Sequence, residues 1–268
     1  VYINDSSHGT LDGLEVQNAV SACVQASYSE IHYLTLSNLT AHDCGSSGIT
    51  VGYDRHFGNV TNILISGCHV HDVCQAGGDE GVSIISVDGF EVQNCVIAAT
   101  GTQAGLDCKV GCTNGRIHDN EILRTNIYID AFGQTTSNID IYGNFFHDFA
   151  YNGLFVGCEQ TPASVTGINV YNNLFHNNQH GCFVVYGEAG GFTAMTFTFV
   201  NNTCYANGQS GWTDLIFGDE TGNYRDCLIA NNIFVTATDN SRPIVDYFPD
   251  NPGTTIGHNL FYCVGGAL

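Results

Sequence analysis

Positive charge is the scarcest property of this chain. Six Lys and Arg stand against 26 Asp and Glu, a formal net charge of −20, and Lys109 is the only lysine. A surface this acidic repels phosphate backbones and anionic lipid, which argues against nucleic acid as a partner. An anionic polysaccharide is repelled too, unless a cation such as Ca²⁺ bridges it. No apolar run approaches the roughly 18 residues of a membrane helix, so no membrane insertion is expected. A G-x-S-x-G elbow, a phosphate loop and a dinucleotide fingerprint are all missing. The chain opens on Val1 rather than Met, and a mature or trimmed form is expected.

Cysteine, by contrast, is plentiful. Twelve cysteines without paired C-x₂-C spacing suit disulfides in an oxidising compartment better than zinc. Sequons at Asn4, Asn38, Asn59 and Asn201 agree, and the expected location is secreted and extracellular.

One short pattern then recurs along the chain. It begins at Leu14–Asn18, Leu34–Asn38, Ile63–Gly67 and Phe90–Asn94, and continues through Arg116–Asn120, Ile139–Asn144 and Ile168–Asn173. Phe197–Asn202, Cys227–Asn232 and Thr255–Asn259 complete it, at a spacing that leaves room for three short strands per repeat. A Gly-led third strand follows each pair, as in Gly48–Val51, Gly81–Ile84, Gly153–Val156 and Gly181–Val184. Apolar and polar residues alternate at period two, with no helical period. These features describe an all-β parallel β-helix of about ten coils, a single domain over 1–268. Asn120, Asn144, Asn173, Asn202, Asn232 and Asn259 are expected to stack as an asparagine ladder, each amide bonding to the next coil.

This repeat resembles the right-handed parallel β-helix of the pectate-lyase-like superfamily, which includes polysaccharide lyases, glycoside hydrolases and alginate epimerases. The resemblance covers nearly the whole chain and implies the fold more strongly than any reaction. It implies an active site on the strand after the ladder strands, where Asp107, Lys109, Tyr128 and Asp130 fall. The family's usual capping element is not evident before Leu14, so the chain is expected to be a fragment or to stack end to end on other subunits.

Alternation points Leu106, Cys108, Ile127 and Ile129 inward and Asp107, Lys109, Tyr128 and Asp130 outward. Asp107 and Asp130 are then diagonal, about 8 Å apart at the backbone, a separation that suits the acid and water-activating base of an inverting glycosidase. Lys109 beside Asp130 is expected to form an ion pair, and a lyase would use Lys109 or Tyr128 as its base. The plain alternative is a salt bridge between coils, worth about 0–1 kcal/mol. Phe155 and Phe183, in the outward column of Tyr128, are expected to seat sugar rings, with Trp212 and Asp214 extending the groove. His118 is a candidate proton carrier or substrate contact one strand away. Asp79 and Glu80, with Asp107, are the candidate Ca²⁺ ligands, although no calcium-loop motif is present. Recurrent His42, His71, His147 and His176 read as turn structure. Cys68 and Cys95 occupy equivalent places in successive coils and are expected to form a disulfide. Cys23 with Cys44, and Cys108 with Cys112, are further candidate pairs; Cys182 and Cys204 read as core thiols.

The leading expectation is a secreted protein that binds and cleaves an extracellular polysaccharide. Its rival is a non-enzymatic structural or adhesive module of an extracellular glycoprotein filament.

Overall fold

The computed structural model describes residues 1–268 except 28–29, 54–58, 78–79, 99–103, 161–162, 188–192, 210–212, 218–223, 237–242, 247–252 and 265–268. All regular structure among the described residues is β, and successive coils add their strands to three parallel sheets. The first sheet runs from Tyr2–Ile3 through Leu106–Lys109 and Ile127–Phe132 to Ile244–Asp246, ten strands in chain order. The second holds twelve strands from Ser6–Ser7 to Thr255–Gly257, and the third ten from Glu15–Gln17 to Leu260–Cys263. The expected parallel β-helix is therefore the observed fold.

Stacking in register turns each inward position into a buried column. In the first sheet Leu106, Ile127, Leu154, Phe183 and Leu215 lie over one another, all fully buried. In the third, Phe146 and Phe175 stack at 4.5 Å between ring centroids. A continuous apolar filling of this kind is what makes neighbouring coils mutually stabilising.

The corner between the second and third sheets is set by backbone conformation. Asn94, Asp119, Gly143, Asn172, Asn201 and Asn231 occupy one column at φ of 52–66°, the left-handed region that Asn, Asp and Gly tolerate best. At Gly143 a side chain would also sit 2.7 Å from Asp119 Oδ1. The next residue along is the ladder. Asn120 donates from its backbone N–H (3.0 Å) and Nδ2 (2.9 Å) to Asn144 Oδ1, and the same pair of bonds joins Asn144 to Asn173 and Asn173 to Asn202. Asn202, Asn232 and Asn259 continue it. A second, shorter ladder joins Asn178 to Asn207.

Asn173→Ala removes the acceptor for two Asn144 donors and the amide that bonds Ile141 O and Tyr171 O. Buried donors left unpaired cost about 1–3 kcal/mol each, so the variant is expected to lose about 3 kcal/mol. The midpoint of urea unfolding, at an unchanged slope, measures it.

Several expectations are corrected here. Leu14–Asn18 does not belong with the other ladder strands: Glu15–Gln17 pairs with Thr40–His42 in the third sheet, and Thr10–Asp12 takes the expected place beside Thr35–Ser37. Cys68 and Cys95 are buried free thiols. They stand where later coils carry Asn, with Cys68 N–H donating to Cys95 Sγ at 3.4 Å and Cys95 N–H to Asn120 Oδ1. Cys23–Cys44 is a disulfide as expected, whereas Cys108 and Cys112 are free. Cys182 and Cys204, read as core thiols, are joined across the interior between the first and third sheets.

Candidate functional site

The outer face of the first sheet carries a groove of about 670 Å³. It begins at Tyr53, just past strand Ile49–Gly52, and reaches strand Asn152–Gln160, five adjacent strands or about 20 Å. Asp107, Lys109, Tyr128 and Asp130 all line it, because the alternation in Leu106–Lys109 and Ile127–Phe132 turns their neighbours into the core. Asp107 pairs with Tyr128 across the two strands, which leaves Asp130 on the diagonal.

Its charges come from Glu80, Asp107, Lys109, Asp130 and Glu159. Lys109 Nζ lies 2.6 Å from Glu80 Oε1 and 3.5 Å from Asp107 Oδ2, so its close partners are not Asp130 as expected. Burial opposes the lysine's charge, but Asp107 and Glu80 outweigh it and push the ammonium above its usual range. Burial likewise pushes Asp107 well above the usual carboxylate range, with Lys109 pulling it back and Glu80, Asp130 and Glu159 pushing further. Asp107 is 3% exposed, and its Oδ1 is closed off from solvent without a hydrogen-bond partner among the described residues. Asp130, 1% exposed, is raised by burial to about 7, with Glu159 adding to the rise. The Glu159 backbone N–H bonds Asp130 Oδ1 at 3.3 Å and works against it. Burial thus raises both carboxyls, Asp130 to about 7, a perturbation characteristic of acid–base sites.

Aromatic rings form the rest of the wall. Tyr128 and Phe155 meet at 4.5 Å, and Phe132 and Tyr151, 43% and 57% exposed, extend the surface with Phe149 and Tyr53. Gly157, opposite Asp130, makes room for them: a Cβ there would lie 2.5 Å from Tyr128 Oη and 2.6 Å from Phe155 Cε1. Period-two alternation from Phe155 through Gly157 also puts Glu159 outward, a signal present in the sequence. Phe149 and Tyr151 reach the groove from a turn, where alternation gives no direction.

Other candidate residues lie elsewhere. Phe183 is fully buried and stacks on Phe199 at 5.1 Å, because Leu154 pairs with Phe183 and Phe155 with Val184. Aligning the two strands by their glycines is one residue out, and one residue exchanges faces. His118 is on the second sheet, bonded at 2.8 Å to both Glu91 and Asp119 and stacked on Tyr142. Asp214 faces inward, fully buried, and burial raises it to about 8. Trp212 and Asp79 lie outside the described residues. Glu80 bonds Ser83 Oγ as well as Lys109, so an ammonium stands where a bridging cation was expected. Among the described residues no three His, Cys, Asp or Glu side chains gather to hold a metal. His42, His71 and His147 each bond the aspartate that follows, as turn structure. Asn4, Asn38 and Asn201 are exposed and Asn59 is half-buried. A second groove, about 620 Å³ and rich in amides, crosses the second sheet past Asn62, Asn114 and Asn138.

The family comparison agrees with this architecture. Residues 1–203 match the right handed beta helix region. The chain belongs to that family. No curated protein matches it in sequence. Among solved structures it is similar to a GH136 lacto-N-biosidase from Eubacterium ramulus, at 14% identity and a TM-score of 0.49, over 91% of this chain and 51% of that one. It is also similar to the A-module of the Azotobacter vinelandii mannuronan C-5 epimerase AlgE4, at 12% identity and a TM-score of 0.42, over 97% and 89%. The Pseudomonas phage phi297 tailspike gp61 matches at 14% identity and a TM-score of 0.38, over 91% and 43%. This right-handed β-helix chain thus spans about half the length of the lacto-N-biosidase, and these likenesses describe the fold alone.

Proposed function

We propose that the chain is a secreted protein that binds a glycan in the Asp107–Asp130 groove and cleaves it there. The observation that carries this reading is the pair of buried carboxyls, both raised by burial, on diagonal positions of two strands beside a wall of aromatic rings. Aromatic faces suit the C–H faces of sugar rings, and glycan cleavage needs one group that gives a proton and another that takes one.

The roles follow from the surroundings. Asp107, pushed well above the usual carboxylate range by burial, is the acid that gives a proton to the departing glycosidic oxygen, and its Oδ2 lies toward Lys109. Asp130, titrating near 7, is the carboxylate that accepts a proton. Lys109 positions Asp107 and holds Glu80. The Cys23–Cys44 and Cys182–Cys204 disulfides support the oxidising compartment in this reading.

Incubation with a panel of polysaccharides, with Ca²⁺ or with chelator, tests it through new reducing ends. Products are expected in both arms and at least about 100-fold less in Asp107→Asn. Products undiminished by that substitution would remove the groove from the reaction.

A further inference from the structure

Two kinds of cleavage fit an acid and a base in this groove, and the charges around them separate the two. In elimination the base takes a carbon-bound proton beside a uronate carboxylate, and that carboxylate must be neutralised to acidify it. In hydrolysis the base takes a proton from water, and the sugar needs no charge.

We propose, building on the groove reading above, that the substrate is an uncharged glycan and that water cleaves it. Four carboxyl groups line the groove, and Lys109 is the one cation among the described lining residues. That ammonium is already engaged by Glu80 at 2.6 Å and Asp107 at 3.5 Å. A uronate brought between Asp130 and Glu159 meets negative charge that already pushes on Asp130, and like charges at such range cost several kcal/mol. The net charge of −20 repels an acidic polymer before it arrives. An uncharged ring meets none of this, and Tyr128, Tyr151 and Phe155 offer it apolar faces. The diagonal placement of Asp107 and Asp130, about 8 Å apart at the backbone, leaves room for a water between carboxyl and sugar.

The step balances with groups already present. Water oxygen bonds to the anomeric carbon while one of its protons passes to Asp130. The bond from that carbon to the glycosidic oxygen breaks, and its electron pair leaves with the oxygen, which takes the proton from the Asp107 carboxyl. One water is consumed and two shorter glycans form. Exchange with solvent returns the proton from Asp130 to Asp107.

The test uses a uronate polymer, its carboxyl-reduced neutral counterpart and a panel of neutral glycans, all in water enriched in heavy oxygen. The expected result is cleavage of neutral polymer, heavy oxygen at the new reducing end, no unsaturated sugar, and at least about 100-fold slower turnover of the acidic form. Equal or faster cleavage of the acidic form, or unsaturated ends without label, overturns the uncharged-substrate inference. If those products still vanish in Asp107→Asn, the groove reading survives that failure. If no polymer is cleaved, or Asp107→Asn cleaves normally, both fall together.

Discussion

Asp130→Asn yields a protein that is catalytically crippled and more stable than the original. Burial holds the Asp130 proton to about pH 7, against an ordinary value of 3.8. As pH rises from about 4 to 7 the unfolded chain gives up this proton while the folded chain keeps it. Folding stability therefore falls across that window and levels off above it, because the carboxylate is then ionised in both states. The rise from 3.8 to about 7 corresponds to a ceiling of about 4 kcal/mol. Asparagine keeps the shape and has no charge to bury. The variant is expected to match the parent near pH 4 and to exceed it by a few kcal/mol at pH 8, read from denaturation midpoints. Its turnover falls by about 100-fold or more. In the parent, turnover climbs as pH passes through about 7, where Asp130 becomes a base. A variant less stable at pH 8, or equally displaced at both pH values, contradicts the burial account.

The second large effect is at the lysine. Lys109→Met leaves Glu80, 7% exposed, and Asp107, 3% exposed, facing each other without their cation. Breaking a buried pair from one side costs about 3–5 kcal/mol, because the stranded charge keeps its desolvation penalty. The loss is expected to be greatest at alkaline pH and to shrink in acid, where protons replace the ammonium. Lost packing of the lysine stem is separated by the double variant Glu80→Gln/Lys109→Met, which recovers much of the stability if charge is the cause. Equal destabilisation in single and double variants would assign the effect to packing.

Sequence reading reached the solenoid and the groove because both rest on period-two alternation. Leu106, Cys108, Ile127 and Ile129 face inward as their spacing dictates, and that alone turns Asp107, Lys109, Tyr128 and Asp130 toward one groove. The ladder from Asn120 to Asn259 was legible for the same reason, since stacking in register makes each column one chemical type. What failed depended on register or on turns. Phe183 went to the wrong face through a one-residue slip at Gly181, which pairs with Asn152 rather than Gly153. Cys182 and Cys204 read as inward core thiols, and their approach to bonding distance across the interior exists only in three dimensions. The approach of Glu80 to Lys109 was not legible, because a turn residue carries no alternation and the distance exists only in three dimensions. Cys68 and Cys95 were paired on equivalent positions alone. Their column is the ladder, where Cys95 Sγ accepts the Cys68 N–H much as Asn Oδ1 does in later coils.

The most direct test is a crystal of Asp107→Asn soaked with an oligosaccharide from a neutral glycan that the parent protein cleaves. The account predicts sugar density on the first sheet, with a ring against Phe155 and Tyr151 and the glycosidic oxygen within hydrogen-bond distance of residue 107. Sugar seated instead in the amide-lined groove past Asn62 and Asn138, or no density at all, would contradict it.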